Sequence, residues 1–250
     1  MNYTRSGDYK LPSPLYCFAG NLLLRAARCV PAMVRTRFLR RHSYYQVFDE
    51  AELGDRQGFS LNKWKAMQMP SSLSGKSVLD IGCADGFFCQ LCARNGARPV
   101  LGVDSALGRL LRARFMALEE GISITYRIDI FPSPRVRETF DYVLCLSVLH
   151  HSFSKKDAWK VLVEDQFADD LAALRRNLKV LRALTAEQGR CVIEMPYEYD
   201  DPSERQQIDF QHFNTELTRA GFSRARCLGD WDHNAKYKEW KDRIIYVAEA

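Results

Sequence analysis

From residue 77 onward, short apolar bursts alternate with longer stretches of helical periodicity. Ser77–Gly82, Pro99–Asp104, Ile124–Asp129, Tyr142–Ser147 and Arg190–Met195 read as strands. Tyr142–Ser147 is a continuous apolar run, the pattern of a strand buried on both faces at a sheet centre. Between the strands, Phe87–Asn95, Leu107–Glu120 and Asp157–Ala186 carry helical spacing, and Gly96 and Gly121 stop the first two. A helix is predicted over Pro202–Ala220, stopped by Gly221, and then strands over Ser223–Leu228 and Arg243–Ala248. Seven strands interleaved with helices predict an α/β fold: a mostly parallel seven-stranded sheet with helices on both faces.

The first 76 residues follow other rules. Residues 1–14 hold Gly7, Pro12 and Pro14 among polar groups and read as a lead-in. Over Leu15–Arg41, apolar positions such as Phe18, Leu22, Leu24, Val30, Met33, Val34 and Phe38 alternate with six arginines, and no acidic residue occurs. Pro31 divides that stretch into two short predicted helices. Residues 42–76 are mostly polar and read as a link to the first strand. The expected organisation is a basic amphipathic N-terminal extension or lid over 1–75 and one α/β domain over 76–250.

Composition adds bounds. A length of 250 residues suits one large domain plus an appendage, and 46% hydrophobic with 27% charged residues is ordinary for a globular chain. The net charge of +5 is too mild to imply nucleic acid by itself. The eight cysteines sit mostly inside apolar runs, which favours buried thiols in a reducing compartment. Cys89-Gln90-Leu91-Cys92 matches C-x-x-C, but it has no second pair and no nearby His, so no metal is expected. The chain holds no apolar run of 18 residues and no signal-peptide pattern, so a cytoplasmic location is expected.

The chemistry concentrates where strands end. The first strand runs into Asp80-Ile81-Gly82-Cys83-Ala84-Asp85-Gly86, with a helix directly after it. Ligands of open α/β sheets bind at such carboxyl ends, where glycines let the backbone approach closely. The dinucleotide fingerprint needs glycines at offsets 0, 2 and 5 from Gly82, but those later positions hold Ala84 and Phe87. A phosphate-cradling turn is therefore disfavoured. Asp104 closes the second strand, where it could accept two ribose hydroxyls or cap the next helix through Ser105. Asp129 ends the third strand in the same way.

These residues, with Phe140-Asp141-Tyr142-Val143 leading to Leu146-Ser147-Val148-Leu149-His150-His151, resemble the class I, Rossmann-like S-adenosylmethionine-dependent methyltransferases. Asp80-x-Gly82-Cys83-x-x-Gly86 is similar to that family's first motif, with Ala84 in place of the middle glycine. The resemblance implies S-adenosylmethionine as cofactor, S-adenosylhomocysteine as product, and the Rossmann-like fold of that family. It implies cofactor contacts from Asp80, Gly82, Cys83, Ala84, Gly86, Asp104, Ser105, Asp129, Ile130, Leu146 and Ser147. His150 and His151 become the catalytic candidates, because an imidazole can take the proton of an attacking hydroxyl. Glu194, near the end of the fifth strand, and Tyr197 and Tyr199, past it, are candidate substrate contacts or members of a solvated acidic loop.

Within that family, residues 76–200 resemble the modules that methylate bacterial cell-surface polysaccharides, acting on sugar or sugar-phosphate oxygens, and more loosely the enzymes that finish transfer RNA wobble uridines. The expected reaction is in-line methyl transfer to an oxygen of a sugar, sugar phosphate or related small molecule. An RNA-modifying enzyme and a non-catalytic binding module stand as alternatives. The arginine-rich stretch 15–41 fits three partners: the protein's own core, an anionic membrane surface, or nucleic acid. The second would place the protein at the inner face of the membrane.

Overall fold

A computed structural model describes residues 13–40, 58–132, 135–149, 168–196, 209–230 and 243–250. The strands β1 (Val78–Ile81), β2 (Val100–Asp104), β3 (Thr125–Ile128), β4 (Phe140–Leu146), β5 (Thr185–Pro196), β6 (Arg224–Asp230) and β7 (Arg243–Glu249) form a seven-stranded sheet ordered β3-β2-β1-β4-β5-β7-β6. The chain divides into two compact units, one within Leu11–Arg135 and one within Val136–Ala250.

The first unit holds β1 (Val78–Ile81), β2 (Val100–Asp104) and β3 (Thr125–Ile128). They pair in parallel, with Asp80 opposite Gly102 and Asp104 opposite Ile128. Every residue of β1 and β2 is buried, which accounts for their near-continuous apolar sequences. Among the described residues this unit also holds the helices α1 (Pro14–Ala26), α2 (Ala32–Arg40), α3 (Gly58–Ala66), α4 (Phe87–Arg94) and α5 (Leu107–Glu119).

Helix α1 starts where Ser13 accepts the N–H of Tyr16 at 3.1 Å and Pro14 occupies a first-turn position that needs no donor. A one-turn 3-10 segment, Ala27–Cys29, and then Pro31 separate it from α2, and the chain bends by 119° at the break. The two predicted N-terminal helices are therefore present. Their inner faces pack on α5 and β3. Gly20 comes so close to Ile128 that any side chain at position 20 would collide with it. Asn21 Oδ1 accepts the Ile128 N–H at 2.8 Å, closing part of the open edge of β3. From α2, Arg35 donates to Glu119 at 2.7 Å and to the Val30 carbonyl at 2.6 Å. Phe38 meets Phe115 edge to face at 5.3 Å, a geometry that adds about 0.5–1.5 kcal/mol to the area buried.

The second unit holds β4 (Phe140–Leu146), α6 (Ala168–Leu184), β5 (Thr185–Pro196), α7 (Asp209–Arg219), β6 (Arg224–Asp230) and β7 (Arg243–Glu249). Strands β4 and β5 are parallel, whereas β7 runs antiparallel to both β5 and β6. Leu174, Leu178 and Leu181 of α6 are fully buried, a helical stripe turned inward.

Two expectations need correction. The sixth helix ends at Leu184, not Ala186, and β5 begins at Thr185, five residues before the predicted start. Thr185 pairs with Phe140, and its hydroxyl donates to the Leu181 carbonyl at 2.8 Å, so a β-branched residue ends the helix and opens the strand. The polar stretch expected to be a plain link contains α3, whose Lys63 and Met67 flank are buried.

Candidate functional site

The turn after β1 takes three left-handed steps, at Gly82 (φ 71°), Ala84 (φ 50°) and Gly86 (φ 81°). The Gly82 and Cys83 N–H groups both donate to the Val103 carbonyl, at 2.8 and 3.0 Å, which ties the turn to β2. A side chain at Gly86 would lie 2.5 Å from the Tyr126 hydroxyl and 2.9 Å from Ala113, so only glycine fits this helix start. Ala84, the departure from the family's glycine, occupies the region that glycine favours. It is held there because its N–H donates to Asp104 Oδ2 at 3.0 Å.

Asp104 thus serves the turn directly. Its other oxygen accepts the Ala106 N–H at 2.8 Å at the start of α5. That bond ends at Ala106, the residue before the first helical turn, and no side chain caps α5, so the helix-capping role weighed from sequence, through Ser105, is not made. Burial pushes the Asp104 carboxyl above its ordinary value, while the two backbone donors pull the other way. One strand further, Asp129 is buried, and its Oδ1 accepts the Ile130 N–H at 2.9 Å. Its Oδ2 is buried with no hydrogen-bond partner among the described residues.

Asp80 lies at the end of β1 beneath the turn, 1% exposed, and accepts the Cys89 S–H at 3.3 Å. Burial chiefly raises its carboxyl from 3.8 to about 7; Cys89 and the Lys63 ammonium oppose that rise. Burial likewise pushes the Cys83 thiol up to about 11 and raises Cys89, leaving both as packing groups at neutral pH. Two residues escaped sequence reasoning. Lys63 of α3 is buried, coupled to Asp80, with its ammonium 5.9 Å from the centre of the Phe88 ring. Asp85 has a fully buried carboxylate that accepts Arg112 Nε at 3.1 Å and lies 3.0 Å from Arg112 Nη2, bracing the turn on α5. Lys63 carried no signal, since nothing in its surroundings marks it as inward. Asp85 sits inside the motif, at a position that the family pattern leaves open.

Structure therefore brings Asp80, Gly82, Cys83, Ala84, Gly86, Asp104 and Asp129 together at the carboxyl ends of three parallel strands in the Leu11–Arg135 unit. Within the Val136–Ala250 unit, β4 ends at Leu146, and Ser147 follows in a left-handed conformation (φ 57°). The Ser147 hydroxyl donates to Glu194 Oε2 at 2.5 Å, and its N–H donates to the Glu194 carbonyl at 3.2 Å. Glu194 is completely buried, so it holds Ser147 in place. His150, His151, Tyr197 and Tyr199 lie outside the described residues.

The strand order, the antiparallel seventh strand and the turn after β1 define the Rossmann-like fold of class I methyltransferases. Residues 78–165 match the family model described as "Methyltransferase domain". Among curated proteins, the ubiquinone biosynthesis O-methyltransferase of Hahella chejuensis is 39% identical over 83 residues, which cover 32% of this chain and 34% of the relative. The chain spans about a third of the length of the curated relatives it matches. A solved S-adenosylmethionine-dependent methyltransferase from Mesorhizobium loti superposes with TM-score 0.52 at 19% identity, covering 76% of this chain and 98% of that one. The Haemonchus contortus phosphoethanolamine N-methyltransferase 2, solved in complex with S-adenosyl-L-methionine, superposes with TM-score 0.53 at 14% identity, covering 77% of this chain and 53% of that one.

Proposed function

We propose that this chain is a methyltransferase that moves the methyl group of S-adenosylmethionine onto an oxygen of a small-molecule acceptor. The observation that carries the reading is the Asp104–Asp129 pair beside the β1 turn. Asp129 Oδ2 is a buried acceptor lacking a donor among the described residues, and such atoms are rare in folded chains because leaving one unsatisfied costs about 1–3 kcal/mol. A ligand that brings amino or hydroxyl donors to strand ends β2 and β3, without phosphates to cradle, suits that site, and adenosine on a sulfonium has this chemistry.

When bound, the cofactor supplies an electrophilic methyl carbon. The chain's own contribution is alignment, worth roughly 7–11 kcal/mol of barrier when reacting groups are held in line. Asp104, already fixed by two backbone N–H groups, has lone pairs left for a ribose edge. Ser147, clamped by Glu194, presents a fixed backbone after β4, the position the family resemblance assigns to the cofactor. His150 or His151 takes the acceptor's proton, a step worth about 10²–10⁴-fold. We assign the catalytic domain to 76–250 and the basic extension to 1–75.

The oxygen acceptor is supported by the curated relatives, which are named as O-methyltransferases. The sugar or sugar-phosphate class rests on the resemblance of residues 76–200. The relatives' name favours a second class, a ring hydroxyl on a prenylated aromatic. Isothermal calorimetry with S-adenosylmethionine and S-adenosylhomocysteine tests the shared premise: wild type should bind both, and Asp104→Ala should weaken binding at least tenfold. No binding at millimolar ligand sinks the proposal. His150→Ala and His151→Ala should keep cofactor affinity, and at least one should lose turnover. Methyl transfer to sugar phosphates or to polyprenylated phenols then decides the class.

A further inference from the structure

We propose that the outward face of α1 and the start of α2 form a docking surface for an anionic lipid bilayer. Helix α1 is apolar on two opposite sides. Cys17, Gly20 and Leu24, with Ala27 just past the helix end, recur at helical spacing and are buried on β3 and α5. Leu15, Phe18 and Leu22 recur at the same spacing on the far side and are exposed, with Tyr16 and Leu23 beside them. Met33 and Val34 open α2 and are exposed as well, because that helix turns Arg35 and Phe38 toward α5 instead. Met33, Leu15 and Phe18 are 79%, 75% and 70% exposed.

Among the described residues, every large exposed hydrophobic lies between Leu15 and Val34. Scattered surface leucines need no explanation, but a cluster confined to one segment does. The inner faces already anchor the segment through Asn21, Arg35 and Phe38, so core packing does not account for the outer one.

Charge selects the occupant. Residues 15–41 contain no Asp or Glu, and Arg25, Arg28 and Arg37 are exposed around the apolar patch. Exposed apolar side chains on a segment whose own charges are all arginines match the boundary between acyl chains and anionic headgroups. No single described helix is long and apolar enough to cross a membrane; α1 and α2 reach that length only as a pair bent by 119°, and the inner faces of both are packed on β3 and α5. This docking goes beyond methyl transfer. It holds for the full chain whether the acceptor is lipid-linked or free.

The test is flotation of the full-length protein with vesicles of phosphatidylcholine alone or with about 30% phosphatidylglycerol, at low and high salt. Recovery should be at least tenfold greater with the anionic vesicles and should fall as salt rises. The triple variant Leu15→Ser, Phe18→Ser, Leu22→Ser should lose that binding while keeping its circular dichroism and melting temperature. Arg25→Gln, Arg28→Gln, Arg37→Gln should lose only the preference for anionic lipid. Equal recovery with both lipids, or binding unaffected by both triple variants, overturns the proposal. So does a concentration-dependent dimer abolished by the serine variant without vesicle binding, which would make the patch a self-association face. A salt-sensitive shift of transfer RNA without vesicle recovery overturns it equally.

Discussion

At the scale of single residues, Asp80 is the most informative group. Its carboxyl is enclosed under the β1 turn, and burial lifts it from 3.8 to about 7 in the folded protein. Between those values the folded chain holds a proton that the unfolded chain has released. Stability from this site is therefore full below about pH 4 and is lost as pH rises through 7. Asp80→Asn mimics the protonated form and can still accept the Cys89 S–H. The wild type should lose melting temperature relative to Asp80→Asn as pH rises from about 4 to 8, by on the order of 5–10 °C. Parallel melting curves for the two proteins across that range would falsify the enclosed, protonated carboxyl. Lys63 acts on the same group from α3, and its ammonium partly restrains the rise.

At the scale of elements, helices and strands were legible wherever a local rule set their ends. Helix α4 starts at Gly86 because a side chain there collides with Tyr126, and α5 stops at the left-handed Gly121; both glycines stand out in the sequence. The start of β5 was not legible. Thr185 becomes strand by pairing with Phe140, a partner 45 residues away that no local pattern reveals. The clasp of Ser147 on Glu194 is of the same kind: each was named alone as a candidate contact, but their bond depends on the β4–β5 register. The contact of α7 on α6 is also long-range. Glu216 of α7 is nearly buried and accepts both Arg175 Nε and Nη2 of α6, at 2.7 and 2.9 Å, plus Arg219 at 2.6 Å. Arg175 chiefly holds its carboxyl below the ordinary value. A depressed carboxyl stabilises the fold above its unfolded value, and that contribution is lost as pH falls. Glu216→Gln should lower stability at pH 7 by about 1–3 kcal/mol, since it weakens a charge-assisted bidentate pair. The gap should narrow as pH falls below the ordinary glutamate value of about 4 and close once the depressed wild-type carboxyl is protonated too. Urea denaturation at the two pH values measures it; an undiminished gap in acid would mean that packing, not charge, joins the helices.

At the scale of the whole molecule, the sequence pattern predicts the αβ alternation, the number of strands and the turn after β1, because each is written in periodicity and in strand-end residues. The site's chemistry was only half written there. Asp104 and Asp129 were visible as strand-end carboxylates, but the buried acceptor at Asp129 Oδ2 emerges only when β3 is set beside β2. That arrangement makes ligand binding and folding one equilibrium. A ligand that binds only the folded chain stabilises it by about 2.7 kcal/mol when present at a hundred times its dissociation constant. For a chain of this length that raises the melting temperature by about 5–11 °C. S-adenosylhomocysteine should produce such a shift in wild type and a much smaller one in Asp104→Ala. Nicotinamide adenine dinucleotide should produce none, although it shares the adenosine, because Ala84 and Phe87 stand where a pyrophosphate needs glycines. A shift with the dinucleotide and none with S-adenosylhomocysteine would reverse the reading of the β1 turn while leaving the fold intact.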